Sequence, residues 1–122
     1  DNSNSLSTND FYCEQVLSGK YKVQVVLETE LVLAFHHSKP YFEHHVVIIP
    51  KKHIDSLASA EAVEVELAKD FLMAIHYVSS KIEKQTGGCR VSSNVGNYQT
   101  SKHLHWYVHS GKRLRDEDGT VI

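Results

Sequence analysis

Residues 102–109 read KHLHWYVH, and this stretch decides the fold. Histidines and a tyrosine hold the odd positions, while leucine, tryptophan and valine hold the even positions. Alternate residues of a strand point to opposite faces of a sheet, so the pattern predicts a strand over residues 102–110. One face would be apolar, and the other would carry imidazoles and a phenol about 6.6 Å apart. A helix would scatter the apolar residues around its axis, so we reject that interpretation.

The two faces of this strand predict different environments. We expect the apolar face to bury the indole of Trp106, and the polar face to expose His103 and His105 side by side. A row of imidazoles can act on a phosphate or bind a metal ion. Histidines on a strand face are also often only solvated, so the rest of the chain has to decide between these hypotheses.

Length and composition narrow the class of protein. The chain has 122 residues, of which 41% are hydrophobic, as is typical of one compact domain with a real core. A net charge of −2 argues against nucleic acid as a partner, because nucleic-acid surfaces are usually basic. Cys13 and Cys89 are too few for a disulfide framework and favour a reducing, cytoplasmic setting. No apolar run approaches the roughly 20 residues that span a bilayer, and we expect no leader and no membrane partner.

Periodicity and turn residues predict an α+β domain over residues 11–111. A polar flexible tail is expected over 1–10, and a charged C-terminal tail over 112–122. A mostly antiparallel, five-stranded sheet would be covered on one face by a long amphipathic helix, which leaves the histidine row on the open face. The predicted elements are a short helix over 11–17, strands over 23–27, 31–36 and 45–49, a helix from Ser59 to Gly87, and strands over 89–93 and 102–110.

Several short motifs carry a resemblance to a known family. They are LAFH at 33–36, HVVIIPKKHI at 45–54, NVG at 94–96, QT at 99–100 and HLH at 103–105. In this order and spacing they resemble the signature of the histidine triad superfamily, and most closely its branch of histidine triad nucleotide-binding proteins. The resemblance implies a homodimer that acts at the α-phosphate of a nucleoside 5′-phosphate derivative through a covalent nucleotidyl-histidine. The expected ligand is a purine nucleoside monophosphate derivative.

The same resemblance implies roles for individual residues. His105 matches the nucleophile, His103 the histidine that orders the site, and Tyr107 the third triad position. His45 matches an outlying histidine that supports the triad. The residues implied in substrate binding are Asn94, Gln99 and Thr100 around the phosphate and leaving group, Phe35 and His36 at the rim of the nucleoside pocket, and His37 at the ribose.

Two positions depart from the family pattern. Tyr107 stands where the third imidazole is usual; a phenol donates one hydrogen bond but carries no positive charge near neutrality. His109 lies two residues further along the same face of the strand and is a possible partial substitute for the third imidazole. His37 stands where an aspartate usually binds the ribose hydroxyls, which changes substrate recognition. These departures keep an alternative open: a nucleotide-binding module, or a homodimeric partner-binding protein, with weak or no turnover.

No cofactor or bound metal is expected from the sequence. Some relatives hold zinc with a Cys-x-x-Cys pair near the N-terminus, but here Asp10 replaces the first thiol and only Cys13 remains. A closed site with four protein ligands is therefore not predicted. His103 and His105 can still chelate an adventitious ion.

Overall fold

The computed structural model describes residues 12–20 and 22–122. The tail predicted over residues 1–10 and the first residue of the short helix predicted over 11–17 lie outside the described residues. The elements are a π-helical turn (Tyr12–Leu17), strands β1 (Val25–Glu28), β2 (Val32–His36) and β3 (Phe42–Pro50), a 3₁₀ turn (Ala60–Val63), helix α1 (Val65–Thr86), strand β4 (Arg90–Ser93), a 3₁₀ turn (Gly96–Tyr98) and strand β5 (Trp106–Arg113).

The five strands form one sheet in the order β1-β2-β3-β5-β4, and every pairing is antiparallel. This confirms the predicted α+β class and its five-stranded sheet. β3 lies at the centre and is buried from His45 to Pro50, because it has a strand on each side and a packed layer on each face. It begins at Phe42, three residues before the predicted start.

Helix α1 covers one face of the sheet, as the sequence predicts. Its spacing of apolar residues places one stripe against the sheet, where it packs with Val46, Ile48 and Val108. The buried stripe is Leu67, Phe71, Ala74, Val78 and Ile82. Among the residues that the structure describes, no helix is both long enough and apolar enough to cross a membrane.

The start of α1 differs from the prediction. Ser59 does not cap it: a 3₁₀ turn comes first, and Glu64, with φ −59° and ψ 134°, interrupts the helical backbone before Val65. The Ser59 hydroxyl instead accepts a hydrogen bond from the backbone N–H of Ser56, at 3.2 Å. A local side-chain bond of this kind competes with helix initiation.

The opposite face of the sheet is not open. The N-terminal π-helical turn lies over it, and its side chains Tyr12 and Val16 form a second apolar cluster with Leu33, Phe35 and Val47. This corrects the expectation that the histidine row faces solvent. The apolar residues of the predicted short helix gave no indication of which surface the helix would cover.

Strand β5 also differs from its predicted bounds. The ladder begins at Trp106, and the preceding segment is held by other contacts: the N–H of Leu104 donates to the Ile54 carbonyl at 2.6 Å. At the other end β5 continues to Arg113, inside the predicted C-terminal tail. The tail then folds back, with an antiparallel bridge between Arg115 and Val121.

Candidate active site

The structure brings together the predicted triad face. The ring centroids of His105 and Tyr107 are 5.0 Å apart, and His103 lies on the same side of the chain, where Tyr12 contacts both imidazoles. Trp106 packs with the α1 cluster on the opposite side, as predicted, but its indole is only half-buried. His105 is only 1% exposed and His103 is fully buried, so the predicted adjacency is right and the predicted exposure is wrong.

Backbone contacts set the proton position on His105. Its Nδ1 lies 2.7 Å from the carbonyl oxygen of His103, which can only accept a hydrogen bond. Nδ1 therefore carries the proton, and in the neutral ring the lone pair is on Nε2. The Ser93 hydroxyl donates to the carbonyl of His105 itself at 2.8 Å, which anchors the backbone of this residue to β4. A neutral imidazole in this tautomer is chemically able to act as a nucleophile through Nε2.

His103 is oriented differently from His105. Its Nε2 lies 2.9 Å from the Pro50 carbonyl and so carries the proton, which leaves Nδ1 as an acceptor 3.1 Å from the thiol sulfur of Cys13. The ring therefore links the end of β3 to the N-terminal turn.

Tyr12 is a site residue that the sequence analysis missed. Its ring centroid lies 5.0 Å from that of His105, 5.9 Å from that of His103 and 6.1 Å from that of Phe35. Its hydroxyl is hydrogen-bonded to Tyr107. The one available signal was an aromatic residue in a short predicted helix that needed a surface to pack on.

Tyr107 is a neutral hydrogen-bonding group. Burial raises the pKa of its hydroxyl above the ordinary value of 10, while the hydrogen bond with Tyr12 acts in the opposite direction. The third position of the row thus offers a hydroxyl, not a charge, near neutrality.

A second group of imidazoles extends the row beyond Tyr107. His37 and His45 stack with centroids 4.5 Å apart, and the centroid of His45 lies 4.8 Å from that of Tyr107. The backbone N–H of Tyr41 donates to Nδ1 of His45, and that of Lys39 donates to Nδ1 of His37, both at 3.0 Å. In both neutral rings the proton is therefore on Nε2.

Burial keeps these two rings uncharged at neutral pH. Desolvation, reinforced by the neighbouring imidazoles His37, His109 and His105, lowers the pKa of His45 to about 3. Desolvation, with His105 and Arg115 nearby, lowers the pKa of His37 to about 4. Among the described residues, the buried Nε2 of His45 meets no hydrogen-bond partner. A buried donor of this kind is suited to an acceptor oxygen of a ligand.

His109 does not replace the third imidazole as a cation. It pairs across the strands with His45 and stacks on Phe42, with centroids 4.1 Å apart and 19° between the planes. Burial and the nearby charges of Arg90 and Arg113 lower its pKa. The ring is thus fixed at the far end of the row.

The remaining predicted residues separate into three groups. Phe35 is buried in the second cluster beside Tyr12. His36 lies on the other face, because it pairs with Val46 of the α1 cluster; it lines a cavity of about 400 Å³ together with residues of α1. Asn94 and Thr100 lie on the loop before β5, half-buried and exposed respectively.

Gln99 serves the loop that contains it. Its side-chain oxygen accepts from the N–H of Gly96 at 3.0 Å, and its side-chain nitrogen donates to the carbonyls of Asp55 and Ser101 at 2.7 and 3.1 Å. Both amide protons are used, so the side chain holds the loop in place instead of pointing a donor at a ligand.

Three side chains converge on a possible metal site. The sulfur of Cys13 and one ring nitrogen each of His53 and His103 lie within 4.8 Å of one another. His53 donates its Nε2 proton to Asp55 at 2.8 Å, and His103 donates its Nε2 proton to the Pro50 carbonyl. The Nδ1 lone pairs of both rings are therefore directed toward the sulfur of Cys13. A thiolate with two imidazoles fixed in this way suits zinc. The three ligands would tie the N-terminal turn to the sheet.

Comparison with known proteins gives a consistent result. The sequence profile of the HIT domain matches residues 18–114. A 13.2 kDa HIT-like protein of Azospirillum brasilense is 38% identical over 104 residues, 82% of this chain and 84% of that protein. A 14 kDa zinc-binding protein of Zea mays is 32% identical over 108 residues, which make up 83% of this chain and 81% of that protein. The crystal structure of a HIT family hydrolase from Legionella pneumophila is 26% identical, with a TM-score of 0.73, over 89% of this chain and 98% of that one.

Proposed function

The chain belongs to the HIT domain family, and on that premise we propose that it cleaves nucleoside 5′-phosphate derivatives at the α-phosphate. The leaving group would be an amine, a carboxylate or a second phosphate. The proton position on His105, set by the carbonyl of His103, is the observation that supports this most directly, because it prepares Nε2 for attack. The name of the Legionella relative, a hydrolase, agrees with the proposal.

The reaction would run in two steps. In the first, His105 Nε2 forms a bond to phosphorus while the bond from phosphorus to the leaving group breaks, and the leaving group takes up a proton from solvent. In the second, a water oxygen forms a bond to phosphorus while the bond from phosphorus to Nε2 breaks; the water gives a proton back to solvent, and the nucleotide and the neutral imidazole are released. We propose the Tyr107 hydroxyl and the His45 Nε2–H as neutral donors to the phosphoryl oxygens, whose charge grows during attack; their closeness to His105 and to each other supports this.

The substrate would have to displace the N-terminal turn, at least at Tyr12. His105 is covered by the ring of Tyr12, so a nucleotide can reach Nε2 only when that ring moves. Displacement also offers a place for the base, because Tyr12 and Phe35 supply aromatic surfaces on which a purine can stack. His37, neutral and bearing one donor, would meet the sugar in place of a carboxylate, which weakens selection for ribose.

The direct test is hydrolysis of a fluorogenic adenosine phosphoramidate. We expect turnover by the wild-type chain and a loss of at least about 10³-fold in His105→Ala, since the nucleophile is removed. His76→Ala, an exposed histidine of α1, is the matched control and should keep wild-type activity. Equal activity in wild type and His105→Ala would refute the mechanism.

A nucleotide-binding module is the second candidate function. The uncharged third position, Tyr107, and the covered His105 favour it. Calorimetry with adenosine 5′-monophosphate separates the two candidates: binding without phosphoramidate turnover supports the module, and binding with turnover supports the hydrolase.

We also propose that Cys13, His53 and His103 bind zinc, as the convergence of their ligand atoms suggests. The name of the maize relative, a zinc-binding protein, points the same way. A reducing compartment such as the cytosol would keep Cys13 available as a ligand. Zinc content after dialysis should be about one ion per chain and should be lost in Cys13→Ser. Cys89→Ser, at the other half-buried cysteine, is the control and should retain the ion.

A homodimer is the proposed assembly. β4 forms one edge of the sheet, and Val91 on it is 42% exposed. Helix α1 also presents apolar side chains outward, among them Leu72, which is 68% exposed. An edge strand and an apolar helical face are surfaces that a second copy can cover.

A further inference from the structure

We propose that the sugar of the substrate carries a phosphate, on its 2′ or 3′ oxygen, and that the Nε2–H of His37 and the guanidinium of Arg115 bind this phosphate. The inference rests on the proposed function, in which the sugar meets His37, and it narrows the substrate class to nucleoside 5′-phosphate derivatives with a second phosphate on the sugar. Two features support it: a hydrogen-bond donor at the sugar position, and a cation on the same loop that has no anionic partner.

His37 can offer the sugar only a donor. The backbone N–H of Lys39 donates to its Nδ1 at 3.0 Å, so the proton of the neutral ring is on Nε2, which has no hydrogen-bond partner among the described residues. The ring stacks on His45, and its centroid lies 6.0 Å from that of Tyr107, whose own neighbour is His105. One ring therefore separates His37 from the nucleophile, which puts both within reach of a single nucleotide.

Arg115 supplies a positive charge on the loop that begins at His37. Its Nε donates to the carbonyl of Pro40 at 3.2 Å, and one Nη donates to the carbonyl of Gly119 at 2.9 Å. Both partners are uncharged, and within the described part of the chain Arg115 forms no ion pair with a carboxylate. A guanidinium has more N–H groups than these two bonds use. A half-buried guanidinium without a counter-charge suits a phosphate, whose oxygens it can meet in pairs.

The residue type at position 37 decides between free sugar hydroxyls and a phosphate. Burial lowers the pKa of His37 to about 4, so at pH 7 the ring is neutral and does not neutralise Arg115. A carboxylate at this position would accept hydrogen bonds from sugar hydroxyls, attract the guanidinium and repel a phosphate. Dinucleotide sites show the same exchange, since a carboxylate there binds the free 2′ hydroxyl and an arginine accommodates a 2′-phosphate.

The test is calorimetric binding of three nucleotides that have no leaving group: adenosine 5′-monophosphate, adenosine 2′,5′-bisphosphate and adenosine 3′,5′-bisphosphate. We expect at least one bisphosphate to bind the wild-type chain about 10- to 100-fold more tightly than the monophosphate, because its second phosphate gains charge-assisted hydrogen bonds. The bisphosphate that binds more tightly identifies the sugar oxygen that carries the phosphate.

Variants at the two proposed ligands should remove this preference. His37→Asp should bind the monophosphate at least as tightly as either bisphosphate, because the carboxylate repels the second phosphate. Arg115→Gln should weaken binding of the preferred bisphosphate by about 10-fold or more and leave the affinity for the monophosphate within about twofold of wild type. Arg115→Lys keeps the charge and should keep part of the preference. His44→Asp is the matched control: it makes the same charge change as His37→Asp, on the face of β3 opposite to His45, and should leave the preference unchanged.

Equal or undetectable affinities of the wild-type chain for the three nucleotides would overturn the inference, and so would a preference that persists in both His37→Asp and Arg115→Gln. A parallel loss of monophosphate and bisphosphate affinity in Arg115→Gln would show that Arg115 only fixes the C-terminal segment to the loop. If thermal unfolding shows that Arg115→Gln does not fold, His37→Asp and Arg115→Lys decide. No bisphosphate preference, with turnover that requires His105, refutes this inference alone, whereas turnover in His105→Ala refutes the proposed function.

Discussion

Uncharged backbone groups fix the position of the proton on four imidazoles of the site, those of His37, His45, His103 and His105. A carbonyl takes the Nδ1 proton of His105, and backbone N–H groups take the Nδ1 lone pairs of His37 and His45. The same residue type therefore supplies a nucleophile at one position and donors at two others. The resemblance assigned roles to these histidines, but no property of the sequence alone gives a tautomer, since the fold decides which nearby backbone group each ring reaches, even where that group is only two to four residues away.

Stability should depend on pH through His37 and His45. Their folded pKa values, about 4 and about 3, lie below the unfolded value of 6.5. Above pH 6.5 these two imidazoles are neutral in both the folded and the unfolded chain, and the free energy of unfolding is greatest. Below pH 6.5 the unfolded chain binds protons at these imidazoles and the folded chain does not, so the free energy of unfolding falls until about pH 3. The loss from pH 6.5 to 5 should be on the order of 3 kcal/mol. Urea denaturation across this range measures it.

His45→Gln is the informative variant for this pH dependence. Its side-chain oxygen can still accept the N–H of Tyr41, so the loop is kept while the titrating group is removed. The variant should show a shallower decline between pH 6.5 and 4. An unchanged slope would show that His45 does not carry the effect.

At the scale of elements, the spacing of apolar residues was sufficient to predict α1 and the sheet, but it did not predict where these elements begin and end. The apolar spacing of α1 predicted its buried face, and alternation predicted the faces of β5. The first residues of the predicted β5 are held by Ile54 and Pro50, and no local pattern reports contacts so distant in the chain. For the same reason the N-terminal turn was predicted as a helix, but its place over the triad was not.

The end of α1 offers a matched pair of substitutions. Gly87 has φ of 97° and its N–H donates to the carbonyl of Glu83, whereas the neighbouring Gly88 has no positive φ; a Cβ on either would meet nothing within 4 Å. Gly87→Ala should lower the free energy of unfolding by about 1 kcal/mol through backbone strain alone. Gly88→Ala should change it by less than about 0.5 kcal/mol. Equal effects in thermal unfolding would contradict this explanation.

At the scale of the whole molecule, both faces of the sheet are covered, and they differ in the side chains that they carry. The face under α1 is the apolar core that supports stability, and the face under the N-terminal turn carries the polar row. The alternation in residues 102–109 predicted that the two sets would separate. It did not predict that the polar set would be covered, because exposure depends on a segment about 90 residues away in the sequence.

The proposed homodimer is testable by sedimentation. We expect a species of twice the 13.8 kDa chain mass, and we expect Val91→Lys on the β4 edge to convert it to monomer, because a buried unpaired charge opposes association. Val121→Lys, at an exposed position near the C-terminus, should leave the dimer intact. A wild-type chain that sediments as a monomer at high concentration would exclude the assembly.

Trapping the covalent intermediate tests the central claim most directly. The chain would be exposed briefly to a reactive adenosine 5′-phosphoramidate, quenched, digested and examined by mass spectrometry. We predict one adenylyl group per chain, attached to His105 and absent from His105→Ala. An adduct on a different residue, or turnover that continues with no adduct in rapidly quenched samples, would contradict a mechanism based on His105.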